Sequence, residues 1–203
     1  MVAPNPIQAM PPATKITVEE FDIYAEQPEN ADRALEFIAG EVYEKVPSNA
    51  YASKISMRIG YLIQKHLAEI GQFDDHVTGE AGGYKVYGWR LAPDVAYLSA
   101  AKQPELDRLG YNNLPPELAV EVDYPSTKES ATMLGRKLWA YASAGTAVWI
   151  VYPETQTIEV YEPGRDSVIL DINATLEGGD VLPGFNVPVK SIFPTVKQTQ
   201  DAQ

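Results

Sequence analysis

The sequence predicts a mixed α/β fold of the α+β kind, in which a mixed β-sheet is flanked by helices and extended by β-hairpins. Three observations lead there. Residues 117–152 read strand, helix, strand, and such a unit implies a parallel pair with a right-handed crossover. Residues 51–70 carry a second long amphipathic pattern. The β-rich stretches on either side are punctuated by glycines, which reads as hairpins and makes the sheet mixed. The 203 residues fit one domain, expected over 15–194, between a mobile proline-rich tail at 1–14 and a fraying tail at 195–203.

Thr17-Val18-Glu19-Glu20 fits a capping box and predicts a short helix to about Glu26. Residues 36–46 alternate around Gly40, as a hairpin does, with Glu44 on the second arm. In the first long helix Ile55, Ile59, Leu62, Ile63 and Ile70 share a face. His66 falls on it too, where a partly buried structural histidine is the common outcome and a ligand the rarer one. Residues 73–98 read as β structure broken at Gly82-Gly83 and Gly88. Residues 117–123 (ELAVEVD) form a strand, and Ser126 or Thr127 can cap a second long helix ending near Gly145. Residues 147–152 (AVWIVY) predict a buried strand, 153–156 a turn, and 157–161 a further strand. More β elements follow across Gly164 and Gly178-Gly179.

Composition narrows the function. No cysteine is present, which removes disulfides, thiolate zinc sites and a cysteine nucleophile. No apolar run reaches the roughly 20 residues of a membrane span, and the N-terminus lacks a signal-peptide pattern, so a cytoplasmic protein without a membrane partner is expected. The formal net charge is -12, the wrong sign for non-specific nucleic-acid binding. The charge is uneven, however. Residues 53–70 hold Lys54, Arg58 and Lys65 against Glu69 alone, a local basic face. There is no phosphate-binding G-x-x-x-x-G-K-[ST] loop, no dinucleotide fingerprint and no G-x-S-x-G elbow. Two histidines, His66 and His76, exclude a histidine-rich metal site. Asp74-Asp75-His76 reads first as a solvated turn.

Three residues together suggest chemistry. Asp94 opens an apolar strand after Pro93, and its alternative reading is a turn cap or a partner for Arg90. Glu121 lies mid-strand, where period two puts Leu118, Val120 and Val122 on one face and Ala119, Glu121 and Asp123 on the other. A carboxylate in so apolar a strand is costly unless paired or metal-bound. On the following helix Lys137 falls about 60° from Leu134, at the edge of the apolar stripe, while Arg136 faces water. Two carboxylates on neighbouring strands can hold Mg²⁺ or Mn²⁺, and a lysine nearby can orient water or stabilise charge on a phosphate.

Pro93-Asp94, Glu121 in an apolar strand and a following lysine resemble the PD-(D/E)XK nuclease superfamily. The chain resembles more closely the Uma family of restriction-endonuclease-like proteins. The similarity is carried by Phe37-Ile38-Ala39-Gly40-Glu41-Val42, Arg90 to Val95, Leu118 to Val122 with Pro125-Ser126-Thr127, Lys137 with Tyr141 and Gly145, Val148-Trp149-Ile150-Val151, and Leu182-Pro183-Gly184-Phe185 with Ile192-Phe193. The resemblance implies a restriction-endonuclease-like core, with Asp94 and Glu121 as metal ligands and Lys137 as the superfamily lysine moved to a helix. It also implies Glu44 as an additional acid. The lysine's usual place is held by Asp123, a third carboxylate on the metal face that reads either as a ligand or as a repulsive charge. Met133 stands where relatives often carry an acid, and Tyr51 where they often carry a polar residue.

The expected activity is endonucleolytic hydrolysis of phosphodiester bonds in nucleic acid, DNA before RNA, with Mg²⁺ or Mn²⁺ held by Asp94, Glu121 and Asp123 and with Asp94, Glu121, Lys137 and Glu44 catalytic. The alternatives are a catalytically inactive binding module on the same fold and carboxylates that only form structural ion pairs. Enzymes that cut both strands often pair, so a homodimer is expected to be possible. Trp89, Trp139, Tyr141 and Tyr161 are its interface candidates, although core packing is the commoner fate of such residues.

Overall fold

A computed structural model describes residues 15–30, 32–45, 49–124 and 128–193. Both tails and the candidate caps Ser126 and Thr127 lie outside the described residues. α1 (Val18–Ala25) begins at the expected capping box. The Glu20 amide donates to the Thr17 hydroxyl at 3.2 Å, and the Thr17 amide donates to the Glu20 carboxylate at 2.8 Å. β1 (Leu35–Ile38) and β2 (Glu41–Glu44) form an antiparallel hairpin. Its turn residues Ala39 and Gly40 have φ of 54° and 90°, the left-handed pair of a tight two-residue turn.

α2 (Ala50–Glu69) is capped by the Asn49 side chain, which accepts from the Ala52 amide at 2.9 Å. Ile55, Ile59, Ile63 and Leu67 form its buried stripe, with Leu62 at the margin. Ile70, expected on that stripe, is 47% exposed because it caps the helix end, where the 3.6-residue period stops. His66 is half-buried, its Nε2 at 3.1 Å from the Pro183 carbonyl and its ring edge-on to Phe185. It has the structural role that was the common expectation.

The strands that follow are β3 (His76–Gly79), β4 (Tyr84–Val86), β5 (Trp89–Leu91), β6 (Val95–Leu98) and β7 (Leu118–Val122). After α3 (Lys128–Ser143) come β8 (Ala147–Tyr152), β9 (Thr157–Tyr161), β10 (Val168–Leu170), β11 (Thr175–Glu177) and β12 (Asn186–Pro188). Gly145 follows the end of α3, and its φ of 75° lets the Thr146 amide turn back to the Tyr141 carbonyl at 2.9 Å. The main sheet has the order β10-β9-β8-β7-β6-β3. Only β7 and β8 run parallel in it, joined by the α3 crossover, and the other pairs are antiparallel. A second sheet has the order β2-β1-β5-β4, and β11 pairs with β12. The fold is therefore the mixed α+β arrangement that the sequence predicts.

Period two divides the core between the two faces of the main sheet. Val95, Tyr97, Leu118, Val120, Trp149 and Val151 pack under α2. Ala96, Leu98, Ala119, Val148 and Ile150 pack against Ala140 and Tyr141 of α3 and against Ile38, Tyr84, Val86 and Leu91 of the second sheet. β8 is covered on both sides, which is why AVWIVY is an unbroken apolar run. A smaller cluster of Phe21, Leu35 and Phe37 seats α1 on the outer side of β1. Among the interface candidates, Tyr141 is fully buried and Tyr161 half-buried. Trp139 is 53% exposed and packs at the surface edge-to-face with Tyr87 and at a tilt with Trp89. No helix among the described residues is long and apolar enough to cross a membrane.

Two glycines test this packing in opposite directions. A methyl at Gly60, mid-α2, would meet Val95 and Val77 at 3.8 and 3.9 Å, ordinary contact distances. Gly60→Ala should therefore stabilise by about 0.5–1 kcal/mol through helix propensity. A methyl at Gly178 would sit 2.3 Å from the Leu182 carbonyl oxygen, a backbone atom. Gly178→Ala should cost about 1–3 kcal/mol. Urea denaturation of both variants measures each sign.

Candidate active site

A buried lysine organises the candidate site. Lys137, on the sheet-facing side of α3, places its Nζ 2.8 Å from Glu121 Oε1 on β7 and 3.1 Å from Glu36 Oε1 on β1. All three residues are buried, at 5–6% exposure. The Tyr141 hydroxyl, one helical turn on, donates to the same Glu121 oxygen at 2.9 Å. Arg136 points outward to Glu41, as the helical spacing predicts. Glu36 also accepts the Ala92 amide at 2.8 Å, which ties β1 to the loop that carries Asp94.

Asp94 sits just before β6. Its amide donates to the Val120 carbonyl at 3.0 Å, and its Oδ2 accepts the Val122 amide at 2.8 Å. Its carboxylate therefore lies at the end of β7, next to Glu121 in the strand order. Its Oδ1 contacts Lys45 Nζ at 3.1 Å, and that ammonium also donates to the Ala92 carbonyl at 2.7 Å. The anticipated alternative partner, Arg90, instead forks onto Asp22 at 2.9 and 2.6 Å. Asp123 follows β7, and its Oδ2 is buried with no hydrogen-bond partner among the described residues. A small pocket of about 180 Å³ is lined by Glu36, Glu121, Asp123, Met133 and Lys137, among others. A larger groove, about 1030 Å³, runs beside α1 and the 107–113 loop with walls of mixed charge. The buried carboxylates, and not size, single out the smaller one.

Glu44 is not in this group. In the β1–β2 register Glu44 faces Leu35 and Tyr43 faces Glu36, so Glu44 shares the α1 side of the hairpin and Glu36 the α3 side. Glu44 is exposed and bonds Arg33 at 2.7 Å, which holds its carboxyl below the usual range. The acid aimed at the site is Glu36. It carries the same sequence signature as Glu121, a carboxylate inside an apolar strand (LEFI). Lys45 and the Tyr141 hydroxyl have no comparable local signature.

The charges are unbalanced. Burial pushes the Glu121 carboxyl up, Lys137 pulls it back, and the charges of Asp94 and Glu36 push it up again. Burial works to neutralise Lys137, but Glu121, Glu36 and Asp94 outweigh it and hold the ammonium protonated. Burial, followed by the Glu121 and Glu36 charges, pushes the Tyr141 hydroxyl up, so it remains a donor. Burial also raises Asp123, with Asp94 adding to it against the Tyr124 amide and Lys137. Oxygen-only donors and the unsatisfied Asp123 oxygen are what a hard divalent cation takes. Among the described residues, no three acid or histidine side chains are already gathered into a cage.

The fold is that of a structure described as "a putative nuclease belonging to DUF820" from Anabaena variabilis ATCC 29413. That protein matches at a TM-score of 0.71 and 19% identity, over 88% of this chain and 97% of its own. The family model Uma2, described as "Putative restriction endonuclease", matches residues 18–190. The chain belongs to this family. No curated protein matches it.

Removing the lysine charge should expose the imbalance. Lys137→Met strips the ammonium from two buried carboxylates and should cost roughly 3–5 kcal/mol at pH 8. Glu121, already raised, would rise further above its unfolded value, so the folded state would bind more protons than the unfolded one. Stability then falls as pH rises through that window, and the cost at pH 5 should be smaller. Urea denaturation at both pH values measures this. An equal cost at both would mean that Glu121 has another counter-charge.

Proposed function

We propose that this protein is a metal-dependent nuclease that hydrolyses phosphodiester bonds, with DNA as the first substrate to test. The observation that carries this reading is the buried Lys137–Glu121 contact, which lines a small pocket and has the Asp94 carboxylate on the neighbouring strand end. Asp94 and Glu121 would hold Mg²⁺ or Mn²⁺, and the buried free oxygen of Asp123 suits a further ligand. When bound, the cation supplies a Lewis acid that lowers the pKa of water and offsets charge on the phosphate.

The side chains divide the remaining work. Lys137, kept as an ammonium, donates hydrogen bonds that orient the attacking water or stabilise a phosphate oxygen. Tyr141 holds Glu121 in one rotamer, and the Val122 amide does the same for Asp94. Glu36 fixes the lysine from the far side. On the outer face of α2, Lys54, Arg58 and Lys65 are exposed and offer a cationic stripe to a phosphate backbone, despite the acidic whole. One observation favours the rival reading, a binding module without catalysis: Asp94 and Glu121 each already have an ammonium partner.

Calorimetric Mn²⁺ titration separates the two. The wild type should bind, and Asp94→Asn and Glu121→Gln should each bind at least about tenfold more weakly. With Mg²⁺ present, cleavage of plasmid or single-stranded DNA should fall at least about 100-fold in both variants. A wild type that takes up no metal at millimolar concentration would support the binding module instead.

A further inference from the structure

Asp94, a candidate metal ligand, is already contacted by the Lys45 ammonium. Asp94 Oδ2 is committed to the Val122 amide, so Oδ1 is the oxygen left to face a cation. Lys45 holds that oxygen at 3.1 Å. Neither side chain is a free surface group, since Lys45 is 21% exposed and Asp94 14%. The base of Lys45 is anchored, because its amide donates to the Ala34 carbonyl at 2.8 Å. The rest of the side chain is a flexible four-carbon stem whose head can leave Asp94 without moving the strand. The other ammonium of the site, Lys137, is taken up by Glu36 and Glu121 and cannot replace it.

We propose that Lys45 is a built-in counter-cation of the metal position, occupying the Asp94 oxygen that a divalent cation needs and thereby setting the affinity of the site. The inference rests on the metal-dependent reading above. A divalent cation on Asp94 Oδ1 and an ammonium on the same oxygen would be like charges a few ångströms apart, between mostly buried side chains where repulsion is strong. Metal can bind only as the ammonium leaves, so the Lys45–Asp94 and Lys45–Ala92 contacts are subtracted from metal affinity. The opposite role, a strut that merely aims Asp94, predicts the opposite result: without Lys45 the ligand would be misplaced and metal would bind more weakly.

Mn²⁺ titration calorimetry on the full chain, with Lys45→Met, Lys45→Gln and Asp94→Asn beside the wild type, decides between them. Each protein is checked by its thermal melt. Removal of the competing charge should tighten Mn²⁺ binding about tenfold in Lys45→Met, the scale of one charge-assisted contact. Lys45→Gln can still donate to the Ala92 carbonyl, and it should also bind more tightly than the wild type. It decides the question if Lys45→Met does not fold. Equal or weaker binding in the folded variants would overturn the role of Lys45. If that wild-type binding is nonetheless lost in Asp94→Asn, the metal site itself stands. Absence of binding in every protein would overturn both readings.

Discussion

The ammonium of Lys137 is the point on which this architecture closes. It is buried between a carboxylate of the second sheet, Glu36, and one of the main sheet, Glu121, and it is delivered by the crossover helix that joins β7 to β8. Desolvating three charges is expensive, and the arrangement is tolerable only because each has a close partner and further hydrogen bonds. Tyr141 supplies one to Glu121 and the Ala92 amide supplies one to Glu36. The second bond also reaches the loop that carries Asp94, so packing of the two sheets and placement of the candidate ligands are one event.

Around that charge the core is apolar on both faces of the main sheet. This explains how the site keeps its geometry. β7 alternates strictly: Leu118 and Val120 go under α2, while Ala119 and Glu121 turn toward α3. A one-residue slip in its register would put Glu121 into the α2 core with no counter-charge, so the ion group specifies register as well as chemistry. The acids nonetheless outnumber the cations. Glu36, Asp94, Glu121 and Asp123 face Lys45 and Lys137, an excess of acids over cations around one helix and two strands.

The chain belongs to the Uma2 family and shares its fold with a structure only 19% identical to it. In this chain the site is built from an apolar strand interrupted by one carboxylate, a helix with a lysine at the edge of its stripe, and a strand of the first hairpin that carries a second buried carboxylate. Asp123 stands two residues after Glu121, and the ammonium beside Glu121 comes from α3. That Lys137–Glu121 contact, at 2.8 Å, is buried.

Local order was legible from one dimension. The capping box at Thr17, the buried stripe of α2, the parallel pair around α3 and the inward face of Lys137 all follow from periods and caps that act within a few residues. The sequence by itself thus determined which segments are helices and strands, and that Glu121 and Lys137 face one core. It did not determine which arm of the first hairpin supplies the third acid. Glu36 and Glu44 lie on opposite faces of that hairpin, and only the docking of the second sheet decided that the Glu36 face meets α3 while Glu44 turns out to Arg33. The same holds for Lys45 on Asp94 and for Arg90 on Asp22. Propensity and periodicity are local quantities, whereas an ion pair between distant segments exists only after the layers have packed and chosen its partner.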